Sequence, residues 1–88
     1  MTLRIERLSD GERAILRLIG RVRAQHLEAL TAEIKRNQRG VLLDMEEVTL
    51  VDVEVIQFLV ACEAGAVKLI HCSPYIREWM NREREEEG

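Results

Sequence analysis

Two cysteines, one proline and five scattered glycines among 88 residues leave little material for a disulfide scaffold, a proline-rich linker or a low-complexity segment. Cys62 and Cys72 have neither close metal-ligand spacing nor a C-x-x-C arrangement, so in a reducing compartment both read as small buried hydrophobes. The N-terminus, Met1-Thr2-Leu3-Arg4-Ile5-Glu6, has no apolar core of a signal peptide, and the longest unbroken apolar run spans only Phe58 to Cys62. That is far below the roughly 20 residues of a membrane span, and a cytoplasmic location is expected. Also missing are a Walker loop, a dinucleotide fingerprint and a G-x-S-x-G elbow. The two histidines, His26 and His71, lie far apart along the chain. His26 reads as a surface residue, His71 as a structural residue at a strand end, and no base is paired with either cysteine. The reading is therefore not an enzyme, with no cofactor and no metal.

What the chain does have is apolar content, 47% of its residues, enough for one domain over 1–88 with a modest core. A chain of this length buries only about 60–65% of its unfolded surface, so marginal stability or self-association is expected. Charge is split unevenly. Residues 1–40 carry nine Lys/Arg against five Asp/Glu, or +4, and residues 41–88 carry four against eleven, or −7. An acidic second half argues against nucleic acid as a ligand there, because phosphate binding requires clustered cations. The early arginines, from Arg4 to Arg23, fit the solvated side of alternating strands.

The organising stretch is Gly40 to Gly65. Val41-Leu42-Leu43 is an apolar run without alternation, which predicts a parallel strand covered on both faces. Asp44-Met45-Glu46-Glu47 reads as an acidic link, followed by a helix with Val55, Ile56, Leu59, Val60 and Cys62 close to i, i+3, i+4, i+7 spacing. Asp52 is placed to cap its first amides and Gly65 to end it. The working surface is expected around Asp52. The carboxylates Asp44, Glu46, Glu47, Asp52 and Glu54 raise the possibility of Mg²⁺, but acidic residues near a helix start are favourable in themselves, by about 0.3–1 kcal/mol each. The apolar arc of this helix is wider than one core stripe requires, so either helices on both sides cover it or part of it is an interface.

Around this stretch, Leu3 to Leu8 and Arg13 to Arg21 read as a hairpin turning at Asp10-Gly11 in type I′ geometry, with the second strand nearer the sheet centre. Ala24 to Asn37 is an amphipathic helix ended by Asn37-Gln38-Arg39-Gly40, with Leu27, Leu30 and Ile34 on its covered stripe. Ala66 to Cys72 is a second covered strand. Ser73-Pro74 starts a third helix over Tyr75 to about Arg84, burying Ile76, Trp79 and Met80. The acidic tail, 82–88, is expected to be frayed. The order β-β-α-β-α-β-α makes an α/β fold with a mixed sheet and helices packed against it.

Gly40-Val41-Leu42-Leu43-Asp44-Met45, then Val48-Thr49-Leu50-Val51-Asp52, the apolar helix, and Gly65 through Pro74 together resemble the STAS family, the sulfate-transporter and anti-sigma-factor-antagonist domains. The hairpin ending near Leu18-Ile19-Gly20-Arg21 is similar to the start of that family, and the resemblance covers most of residues 3–84. It implies a STAS-like fold and a non-enzymatic protein-binding module. The implied partner is an anti-sigma factor of the serine-kinase type, docking on the face around the start of the central helix at Val51, Asp52, Val53, Glu54, Val55 and Phe58. In antagonist domains a Ser or Thr directly after the helix-start Asp is phosphorylated to break the complex. Here that position is Val53, so no phosphorylation is expected and binding should be constitutive. The alternative is a small cytoplasmic STAS subunit contacting the ATPase of an ABC-type lipid or solute transporter. The family usually continues with another strand and helix; without them, a homodimer contact or a larger partner is expected to cover the apolar surface. Neither nucleic-acid binding nor direct membrane insertion is implied.

Overall fold

The computed structural model describes residues 3–9, 11–37 and 40–87. The elements in order are β1 (Arg4–Ser9), β2 (Ala14–Val22), a 3₁₀ turn (Ala24–His26), α1 (Leu27–Arg36), β3 (Val41–Val51), α2 (Val53–Ala64), β4 (Val67–Ile70) and α3 (Pro74–Glu87). They form a four-stranded sheet in the order β1-β2-β3-β4, with β1 antiparallel to β2 and the remaining pairs parallel. The expected α/β order holds, and β2 is central while β1 lies at an edge.

Ser9 pairs with Ala14, so four positions separate the paired ends of β1 and β2, more than the two of a type I′ turn. Asp10, half of that turn assignment, lies outside the described residues, as do Gln38 and Arg39 at the end of α1. Gly11 takes φ +96, a value that favours glycine, and donates its N–H to Ser9 Oγ at 3.2 Å.

The acidic link is a correction: Asp44 to Glu47 is not a loop but the middle of β3, which runs 11 residues to Val51. Its partner β2 has nine. The surplus is absorbed by register shifts between Arg17 and Ile19 and between Gly20 and Arg21, where β3 carries the extra residues as bulges. Met45 (1% exposed) and Val51 (7%) still point inward, so burial on one face carries the strand through its acidic positions.

The second correction concerns the covering of the sheet. Leu16, Leu43 and Leu69 are cross-strand neighbours, and all are buried in one core with Leu30 of α1, Val55, Ile56 and Leu59 of α2, and Ile76 and Met80 of α3. The alternate residues point to the other face. There Ile15, Arg17, Leu42 and Ile70 are only half-buried and Lys68 is exposed. All three helices thus cover one face, and the aliphatic run that suggested two covered faces has one open side. β4 is shorter than expected and forms the other edge.

Ser73 Oγ accepts the Ile76 N–H at 3.3 Å and Pro74 occupies the first position of α3, as its sequence predicts. α3 runs on to Glu87, and Arg84 reaches Glu63 on α2 at 2.9 Å. That contact supplies a reason for the tail to stay wound.

Candidate functional site

β3 delivers its end, and α2 its start, to one corner of the molecule. Asp52 is the N-cap residue of α2, with φ −94 and ψ 166, and its backbone carbonyl accepts the N–H groups of Val55 and Ile56 at 3.0 and 3.1 Å. Its side chain does not cap α2 as expected. Oδ2 instead accepts the Ala24 N–H at 3.3 Å, tying the start of the 3₁₀ turn to the start of α2. An extended N-cap placed next to another helix start has two sets of free amides within reach, and the carboxylate goes to the neighbouring set.

The six expected contact residues divide by burial. Val53 is 40% exposed, Glu54 is exposed, and Asp52 and Phe58 are half-buried. Val51 is only 7% exposed and Val55 is fully covered, so those two support the corner from beneath and present no surface. Helical geometry explains the split, because Val55, Ile56 and Leu59 form the inward stripe of α2. The sequence reading missed Leu50, which is 48% exposed on the outward side of β3, two residues before Asp52. Its signal is the exposed–buried alternation of Leu50-Val51 at the end of a strand whose middle, Asp44 to Glu47, reads as a link.

A second group lies on the open face. Asp44 is the only buried polar or charged residue among the described residues, 3% exposed. Its Oδ1 accepts the Glu46 N–H at 3.1 Å and lies 3.1 Å from His71 Nδ1, and its Oδ2 is 3.4 Å from Arg17 Nε. Burial pushes this carboxyl upward, but the Glu46 N–H, His71 and Arg17 outweigh it and hold Asp44 below the usual carboxylate range. His71 adopts φ 59, an uncommon conformation outside glycine.

A cleft of about 770 Å³ opens at the opposite end of the sheet, lined by Arg7, Arg13, Glu33, Arg36 and Gly40 among others. Arg7 grips Glu33 through two bonds of 2.9 and 2.6 Å, and Arg36 approaches the same carboxylate at 3.7 Å. Two of its cations are thus already engaged by Glu33. The cysteines offer no activated nucleophile: burial pushes the Cys62 thiol up to about 11 and also raises Cys72. At pH 8 a thiol near 11 is thiolate only on the order of one part in a thousand, against roughly a quarter for an unperturbed one. Iodoacetamide labelling of Cys62 at pH 8, followed by peptide mass mapping, should therefore be on the order of 100-fold slower in the folded protein than in urea; equal rates would contradict its placement.

No family model and no curated protein matches the chain. Among solved structures, the anti-sigma factor antagonist SpoIIAA in its unphosphorylated form superposes with a TM-score of 0.65 at 17% identity, over 91% of this chain and 82% of that one. The Mglu structure superposes with a TM-score of 0.55 at 20% identity, over 78% of this chain but only 20% of that one. At such identities the likeness concerns architecture, and no helix among the described residues is long and apolar enough to cross a membrane. The sheet with its parallel β2-β3-β4 core and helices on one face is thus the fold of SpoIIAA, the STAS fold.

Proposed function

We propose that this chain is a protein-binding module of the STAS antagonist type, docking a protein partner on the corner formed by the end of β3 and the start of α2. The observation that carries this reading is the pair of exposed aliphatic side chains, Leu50 at 48% and Val53 at 40%, flanking Asp52. Apolar side chains held on rigid elements beside charged ones are suited to form the dry centre of an interface with a polar rim. Asp52, Glu54 and Phe58 complete the surface, and Val51 and Val55 set its backbone from below. The antagonist-type partner is an anti-sigma factor or related serine kinase. Binding is constitutive, because Val53 supplies no oxygen for a phosphate at the helix start.

The test is affinity capture of the tagged chain from its native extract, with wild type beside the double variant Leu50→Asp/Val53→Asp. Loss of two central aliphatic contacts is worth about 2–3 kcal/mol, or roughly 30- to 150-fold in affinity. The expected result is a specific protein captured by wild type and lost from the variant, with melting temperatures within a few degrees. Equal capture by both would remove this corner from consideration. A transporter ATPase as the captured protein would keep the corner but replace the antagonist reading.

A further inference from the structure

Along the chain, the acidic run of β3 and the histidine after β4 belong to different segments, with Asp44 and His71 27 positions apart. Parallel pairing closes that separation. Asp44 stands opposite Ile70, so the next residue of β4's exit, His71, is brought beside the Asp44 carboxylate. Glu46, exposed and two residues further along β3, completes a group of one imidazole and two carboxylates whose ligand atoms all lie within 4.8 Å of one another. We propose that Asp44, Glu46 and His71 bind a divalent transition-metal ion on the open face of the sheet.

Two separate observations lead there. The first is geometric. Nitrogen and oxygen ligands sit about 2.0–2.2 Å from such an ion and therefore no more than about 4.4 Å from each other. A spread of 4.8 Å closes to that by rotation of the two exposed side chains, Glu46 and His71, while the buried Asp44 stays fixed. The second is the charge on Asp44 itself. A carboxylate this buried needs close compensation. Its cationic neighbour Arg17 approaches only to 3.4 Å and is shared with Glu6 at 3.8 Å, longer than the 2.7–2.9 Å of a tight charge-assisted bond. The Glu46 N–H and His71 complete that compensation and keep Asp44 ionised, as a ligand must be; a divalent ion would take the place that His71 Nδ1 holds 3.1 Å from Oδ1, with Arg17 on Oδ2 orienting the ligand from behind. The same positive charge lowers the affinity, so the ion exchanges and is no structural clamp.

The donor set selects the kind of metal. An imidazole with two carboxylates suits Zn²⁺, Co²⁺ or Ni²⁺, whereas Mg²⁺ and Ca²⁺ prefer oxygen alone. With His71 57% exposed in its side chain, the site is open to solvent, and water completes the coordination. The expectation of no metal took the acidic residues as favourable near a helix start and His71 as a structural residue; pairing of β3 with β4 is what brings that histidine to Asp44. This inference is independent of docking at the α2 corner.

Chelator-treated full-length protein titrated with Co²⁺ alone, followed by visible absorption and then by competition with Zn²⁺, tests it. One saturable site per chain is expected. Glu46→Gln and His71→Asn should each weaken binding at least tenfold, whereas His26→Asn should leave it unchanged. Both site substitutions are at exposed positions, and asparagine tolerates the positive φ of His71. In wild-type protein the His71 ring resonances should shift with Zn²⁺ while those of His26 stay in place. No saturation below about 1 mM, unchanged binding by His71→Asn, loss of binding in His26→Asn, or equal competition by Mg²⁺ would each overturn the assignment.

Discussion

Val55→Glu should cost this protein most of its folded population. The side chain is fully covered, packed with Ile56 and Leu59 into the core beneath the sheet. A carboxylate at that position has no cation to meet it, and an uncompensated buried charge costs about 3–5 kcal/mol. The lost burial of valine adds about 1.5–3 kcal/mol. A domain of this size has about 4–13 kcal/mol in total, and each kcal/mol moves its melting temperature by about 4–8 °C. A drop of at least 20 °C by circular dichroism is expected. Val53→Glu, two residues away but 40% exposed, should melt within a few degrees of wild type. If Val55→Glu also melted there, the inward stripe of α2 would be misplaced. The contrast also matters for the docking surface: a partner lost on Val55 substitution reports unfolding, while a partner lost on Leu50 and Val53 substitution reports the surface itself.

Element order was legible because each signal was local. The aliphatic period of Leu27, Leu30 and Ile34, the Ser73-Pro74 start and the alternation of the first strand each depend on residues a few positions apart. What escaped was set by pairing between strands. Asp44 to Glu47 looked like a link because two acidic residues in succession interrupt an apolar run, yet bulges let Met45 and Val51 keep the inward face. The open side of the sheet was hidden for a related reason: Leu42 and Ile70 are aliphatic on a face that no helix covers, and a run without alternation reads the same with one face covered or two. At the docking corner, Asp52 could be found from sequence as a helix start, but its bond to Ala24 belongs to the proximity of two helix starts. The apolar character of Val51 at the end of β3 and of Val55 in α2 could not say which side faced out. The convergence of Asp44 with His71 depends wholly on the register of β3 with β4.

Asp44→Asn should lower stability at neutral pH and flatten its acid dependence. In the native protein the carboxylate accepts the Glu46 N–H, meets His71 and Arg17, and stays ionised below the usual carboxylate range. A group with a lowered native pKa stabilises the fold above its unfolded value, near 3.9, and loses that contribution as pH falls through the native value. Stability should therefore decline below about pH 4, in step with protonation of Asp44. Asparagine keeps the shape but not the charge, and its amide places a donor where one of the Asp44 oxygens accepts; the cost at pH 7 is about 1–3 kcal/mol. Glu33, held below the usual range by its hydrogen bonds from Arg7, should leave the variant a residual slope. Urea unfolding from pH 7 to pH 3 measures both curves. They should converge as the pH falls, since protonating wild type removes the same charge that the substitution removes. Parallel curves would show that Asp44 contributes through its shape and hydrogen bonds, and that its charge carries none of the acid sensitivity.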